Sequence, residues 1–172
     1  NVNLAPENWE VLKSYIGPRQ IERLWVVGSN DTTAPIIEQS YKRFLKIMED
    51  HLQNLPFLLG KRPSSSDFAI YGQLTQLIGF DPTSRKLAHE ISLRTVAWIN
   101  GMEDLSGLNP KNNPWADVES LPESMRELLT ELGRGYVPAL LANKDALEKG
   151  EEEWEAQIDD AKWVQKTFNY QG

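Results

Sequence analysis

The sequence predicts an all-α domain, a bundle of about five to seven helices with a short aromatic C-terminal tail or hairpin. Two observations carry this expectation. Apolar residues recur mainly at spacings of three and four, and Gly-Pro and Asp-Pro pairs punctuate the runs between them. The chain has 172 residues, 40% of them apolar, which suffices for one domain with a real core over residues 1–172.

Residues 6 to 28 read as a helix or two short ones. Trp9, Leu12 and Ile16 share one face, and Ile21, Leu24 and Trp25 share another. Gly17-Pro18 lies between them, and proline lacks an amide donor and clashes with the preceding turn, so a kink or break is expected there. Asp31-Thr32-Thr33 offers caps for the next helix, with Pro35 near its first turn. Ile37, Tyr41, Phe44, Leu45, Met48 and Leu52 then form one apolar stripe, which should stop before Pro56.

Gly60-Lys61-Arg62-Pro63 is a turn, and the segment from Phe68 to Ile78 that follows is apolar on nearly every side, which predicts a buried helix. Gly72 within it implies the close approach of a neighbouring helix. Asp81-Pro82 breaks the chain again. The stretch from Thr83 to Leu105 is helical, its start forming a separate short helix. Residues 106 to 122 read as loop, with Pro110, Asn112, Asn113 and Pro114. Residues 123 to 147 are helical, with an interruption expected near Gly133, Gly135 and Pro138. In the last 22 residues Trp154, Ala156 and Ile158 alternate with polar neighbours, a strand period, and Asp159-Asp160 could turn the chain back toward Trp163. A hairpin and an irregular aromatic tail both remain open.

Composition excludes several classes of function. The net charge is −7, and the basic pairs Lys42-Arg43, Lys61-Arg62 and Arg85-Lys86 are short and mostly surrounded by acids. A nucleic-acid surface needs clustered cations to replace counterions, so no nucleic-acid partner is expected. No run of roughly 18 apolar residues occurs, so no membrane partner is expected either. The start Asn1-Val2-Asn3-Leu4-Ala5-Pro6 has neither the basic end nor the apolar stretch of a signal peptide, and a cytoplasmic location follows as the expectation. There is no cysteine, hence no disulfide, thiolate ligand or thiol nucleophile within the chain.

The most informative local pattern is Ser64-Ser65-Ser66-Asp67. Serine at an N-cap with an acid three residues on makes a reciprocal capping box, so Ser64 and Asp67 read as structural, with a catalytic Asp67 as the minor alternative. His51 and His89 lie on separate helices without metal-ligand spacing and read as surface histidines. No nucleophile elbow, phosphate loop or dinucleotide fingerprint is present, and no catalytic, metal-binding or cofactor-binding residue is nominated. Six tryptophans and five tyrosines serve core packing or line an apolar pocket; Trp9, Tyr15 and Trp25, on the first helical segment, are the candidates for a pocket.

The run Leu58-Leu59-Gly60-Lys61-Arg62-Pro63-Ser64-Ser65-Ser66-Asp67-Phe68-Ala69-Ile70-Tyr71-Gly72 resembles the signature of the glutathione transferase family. That signature has an apolar pair, glycine, a short turn, Ser or Thr, two residues, Asp, and then the central helix. Ser66 stands where the family often has alanine. Downstream, Asp81-Pro82, Val96-Ala97-Trp98-Ile99 and Met102-Glu103 resemble the next family helix, with Ile91-Ser92 in place of its usual preceding proline. The tail from Trp163 to Gln171 is similar to bacterial members. The resemblance covers residues 33 to 105 well and the flanks loosely. It implies a glutathione-transferase C-terminal-like helical domain, a possible homodimer, and a thioredoxin-like N-terminal domain as its partner. That partner would bind glutathione and activate its thiol, leaving no cofactor in this chain. It also implies that Trp9, Tyr15, Trp25 and Tyr71 border the domain interface. A stand-alone interaction module, such as similar helical domains form in translation elongation factors and aminoacyl-tRNA synthetase complexes, is the other reading.

Overall fold

The structure, a computed structural model, describes residues 5–109, 111 and 113–169. Among them the chain is mostly helical. The helices are α1 (Pro6–Glu22), α2 (Ala34–His51), α3 (Ser65–Leu77), α4 (Pro82–Ile91), α5 (Leu93–Met102) and α6 (Glu123–Lys149), and an antiparallel pair, β1 (Glu153–Ile158) and β2 (Ala161–Lys166), follows them. Short 3₁₀ turns lie at Leu24–Val27 and Val118–Ser120, the second inside the stretch expected to be loop. Contacts divide the chain into two compact units, one of Glu38–Gly133 and one of Asn1–Ile37 with Arg134–Gly172. The expected features at Asn1–Leu4, Pro110, Asn112 and Tyr170–Gln171 lie outside the described residues.

In the Glu38–Gly133 unit the stripe of α2 turns Leu45 and Met48 fully inward. Leu45 joins Phe57, Leu74, Ile78, Ala88, Trp98, Ile99 and Met102 in one core, and Met48 joins Leu58, Met125 and Leu128 in another. The long stretch after Asp81-Pro82 divides at Ser92, as expected, although no proline stands there. The Ser92 hydroxyl accepts the amide of Thr95 at 3.2 Å and so caps α5. Glu49 on α2 accepts the Ser92 hydroxyl at 3.0 Å and the Arg94 amide at 3.1 Å. Burial works against its charge, but these bonds and the Arg94 guanidinium together hold the Glu49 carboxyl below its ordinary value.

Tyr41, half-buried on α2, donates to the Ser84 carbonyl at 3.4 Å. Burial first, and the negative charge of Asp81 second, push its hydroxyl up from 10.0 to about 12. The folded state therefore favours the neutral phenol more than the unfolded state does. That contribution is complete below pH 10 and is lost as pH rises toward about 12. Tyr41→Phe should remove this loss. The difference in unfolding free energy between the two proteins, followed by denaturant titration across that window, should shrink toward high pH; a constant difference would refute the assignment.

Several elements depart from expectation. α1 continues through Pro18 to Glu22, and α6 runs unbroken through Gly133, Gly135 and Pro138. Each proline forgoes one amide bond, yet neither ends its helix, of 17 and 27 residues respectively. α3 is not buried all round: Asp67 and Leu74 are buried, while Phe68 is 51% exposed. Gly72 has open space where a side chain would stand, so among the described residues no neighbouring helix approaches it closely. Asn30 closes the turn ahead of α2, and Thr33, the last residue of the expected Asp31–Thr33 run, stands immediately before the helix. The Asn30 side chain accepts the amides of Thr32 and Thr33 at 2.9 and 3.1 Å, and the Thr33 hydroxyl accepts the Asn30 amide at 3.0 Å.

In the other unit the C-terminal alternation becomes a hairpin. Trp154 and Ile158 of β1 are buried with Ala146 of α6, and Ile158 pairs with Ala161 across the Asp159-Asp160 turn. Asp159 takes φ +47°, a left-handed value that aspartate tolerates better than most residues. The fully buried Asn143 holds the chain after β2. Its amide donates to the Phe168 carbonyl at 2.9 Å, and its carbonyl accepts the Phe168 amide at 2.8 Å.

Candidate functional site

The most densely bonded local structure lies where the Pro56–Gly60 turn meets the start of α3. Phe57 and Gly60 exchange backbone hydrogen bonds at 3.2 and 3.1 Å, with Gly60 at φ +125°, a conformation only glycine adopts readily. Asp67, fully buried, reaches back from the third position of α3. Its Oδ2 accepts the Ser64 amide at 2.8 Å and the Ser64 hydroxyl at 2.7 Å, while its Oδ1 accepts the Leu58 amide at 2.8 Å. The capping box is thus formed. It extends to a third donor outside the helix, binding the turn to the helix start. A carboxylate spent on three donors in a closed interior has no edge to offer a substrate.

Other groups hold the same turn. The indole of Trp98 donates to the Pro56 carbonyl at 2.9 Å, and the Ala116 amide donates to Leu59 at 2.6 Å. The guanidinium of Arg62 stacks 3.8 Å from the ring centre of Trp115. His51 is the main surprise. It is 2% exposed, not a surface residue, with Nε2 2.9 Å from the Phe57 carbonyl and Nδ1 2.8 Å from the Ser124 hydroxyl. A carbonyl only accepts, so Nε2 carries a proton, and in the neutral ring Nδ1 accepts from the Ser124 hydroxyl. The signal was in the sequence: His51 stands seven residues after Phe44 and three after Met48, on the stripe that α2 buries. His89, by contrast, is exposed.

The aromatic candidates separate. Trp9 and Tyr15 on α1 and Trp25 in the 3₁₀ turn are 56, 66 and 51% exposed, with Ile16, Ile21 and Leu24 exposed beside them in sequence. The Lys166 ammonium stands 6.0 Å from the Trp25 ring centre. Tyr71 is half-buried against the core of the other unit. The first three lie on one exposed segment of one unit, and Tyr71 belongs to the other unit. An apolar hollow of about 310 Å³ is lined instead by Pro56, Phe57, Trp98, Met102, Leu105 and Leu108, residues not nominated for a pocket from the sequence. Among the described residues, no group of three or more His, Asp or Glu side chains could hold a metal ion, and no helix is long and apolar enough to cross a membrane. Comparison with protein-family models, with curated proteins and with solved structures finds no match.

Proposed function

We propose that this chain is the helical, substrate-side part of a cytoplasmic glutathione-transferase-like protein, working beside a thioredoxin-like domain and not conjugating on its own. The observation that carries the reading is the Asp67 clasp. The residues on which the resemblance rests, Leu58 through Asp67, are the ones whose bonds fix the entry to α3. The exposed Trp9, Tyr15 and Trp25 add support, because a partner domain would cover aromatic surface of that kind. Glutathione carries two carboxylates and an amine and needs several aligned partners, which the reading assigns to the partner domain.

Titration calorimetry of the chain with glutathione should show no saturable binding, and a conjugation assay with an aryl halide should show no rate above background. Saturable binding in the millimolar range or turnover would overturn the division of labour. The family reading has its own check. A thioredoxin-like segment should be encoded upstream of Asn1, and joining it should shield Trp9, Tyr15 and Trp25 from a fluorescence quencher. An upstream region without that pattern, or unchanged quenching in the joined protein, would overturn it.

A further inference from the structure

A second hollow, of about 310 Å³, opens where the C-terminal end of α3 meets α4 and α5. This is at the small end of ligand-pocket sizes. Its apolar floor is made by Ile78 and Ile99, which are 6 and 7% exposed, and by the half-buried Val96. On α5 and its C-cap residue Glu103, Val96, Ile99, Asn100 and Glu103 follow one another at i, i+3, i+4 and i+7, a face that turns from apolar to polar along its length. Arg85 lines the hollow from α4, and its position is fixed. Its Nε donates to the Ile78 carbonyl at 2.7 Å and one Nη to the Gly79 carbonyl, capping the end of α3. The other Nη remains unspent. His89 is oriented in turn: its Nδ1 lies 2.9 Å from the Arg85 carbonyl, so Nδ1 carries a proton and, in the neutral ring, Nε2 keeps an open lone pair.

The decisive feature is a separation of charge. Arg85 and Glu103 line the same hollow, yet they form no ion pair with each other, and the side chains of Glu103 and Asn100 have no partner among the described residues. Two of the guanidinium nitrogens are spent on α3, so its other Nη and the Glu103 carboxylate, both exposed, stand at the mouth of one small hollow over an apolar floor. The molecule complementary to that arrangement carries both charges at one end and a hydrocarbon group at the other.

We propose that this hollow binds a free α-amino acid with an apolar side chain. Arg85 and the Asn100 amide take the carboxylate. Glu103 and His89 Nε2 take the ammonium, and the side chain lies on Ile78, Val96 and Ile99. This site is independent of the family reading, since neither glutathione nor a partner domain enters it.

The test is an amide-shift NMR titration of the chain with L-leucine, 3-methylbutylamine and 4-methylpentanoate, the last two each lacking one charged group. Leucine should give saturable shifts centred on Asn100 and Glu103, and each analogue should bind about tenfold more weakly or worse, as expected for losing a hydrogen-bonded charge. Glu103→Gln should weaken leucine by about tenfold and leave 4-methylpentanoate unchanged. The substitution removes an acid from a helix C-terminus, where the dipole disfavours it, so the fold should tolerate it. Leucine shifts that do not saturate, equal affinity for leucine and 4-methylpentanoate, or leucine binding unaffected by Glu103→Gln would each overturn the proposal.

Discussion

Replacing Asp67 with alanine should destabilise the protein by about 3 kcal/mol or more, taking roughly 1–3 kcal/mol for each buried donor left unpaired. Three donors depend on this carboxylate: the amides of Leu58 and Ser64 and the hydroxyl of Ser64. The hydroxyl can rotate toward another acceptor, but the two amides are fixed by the turn and by the helix start. Ser64→Ala removes only the hydroxyl and should cost about 1 kcal/mol, the usual size of a lost serine cap. The double variant should lose less than the sum, because without Asp67 the hydroxyl has already lost its partner. Asp67→Asn keeps the shape but sets an NH₂ group against at least one donor, so it should fall between wild type and alanine. Chemical denaturation of the wild type and the four variants checks the order. A midpoint for Asp67→Ala no lower than that for Ser64→Ala would show that the Leu58 bond carries no weight.

The parts of this fold that are legible in the sequence are those governed by local chemistry. The stripe of α2 fixes which side chains go inward because 3.6-residue periodicity leaves little choice. The Ser64 and Asp67 spacing implies a cap because the partners are neighbours in sequence, and the alternation of Trp154, Ala156 and Ile158 becomes a buried strand face. What the sequence concealed depended on distant residues. Leu58, nine positions before Asp67, supplies the third donor of the clasp, and no local rule points to it. Proline at 18 and 138 signals a break, but whether a helix yields depends on what holds it on either side. The apolar α3 reads as buried, yet burial requires neighbours on every face, and among the described residues Phe68 stays 51% exposed and nothing stands within 4 Å of a Cβ added at Gly72. His51 is the instructive failure: its polarity suggested the surface, while its position on the stripe placed it inside, where Ser124 and Phe57 satisfy both nitrogens. At the aromatic segment, composition identifies Trp9, Tyr15 and Trp25 but is silent on exposure, because an apolar face looks the same in sequence whether it meets a core, a partner or water.

Glycine shows the same gap and leads to the second large expected effect. Gly28→Ala should destabilise by about 3 kcal/mol, combining roughly 1–2 kcal/mol for a left-handed backbone with a steric cost of similar size. Gly28 sits at φ +71°, and a methyl there would lie 2.0 Å from Nε1 of Trp163 and 2.6 Å from its Cε2. Neither side can retreat easily. The Gly28 carbonyl accepts the Thr33 hydroxyl at 2.7 Å and the Asn30 amide at 3.3 Å, which fixes the backbone. The Trp163 ring packs against the cluster of Ala146, Trp154 and Ile158, and its Nε1 donates to Gln165 at 3.2 Å. Gly150 separates the two causes, because it shares the backbone value at φ +70° but has nothing within 4 Å of the added methyl. Gly150→Ala should therefore cost only the backbone part, about 1 kcal/mol. Gly72→Ala, within α3 and with open space around it, should stabilise by about 0.5–1 kcal/mol through helix propensity alone. Urea unfolding followed by tryptophan fluorescence and by circular dichroism ranks the three variants. Gly28→Ala should also shift the fluorescence of the folded state, since the ring it displaces is itself a reporter. Equal losses for Gly28→Ala and Gly150→Ala would mean that Trp163 moves aside at no cost, and the close contact between the 3₁₀ turn and β2 would lose its role in holding that unit together.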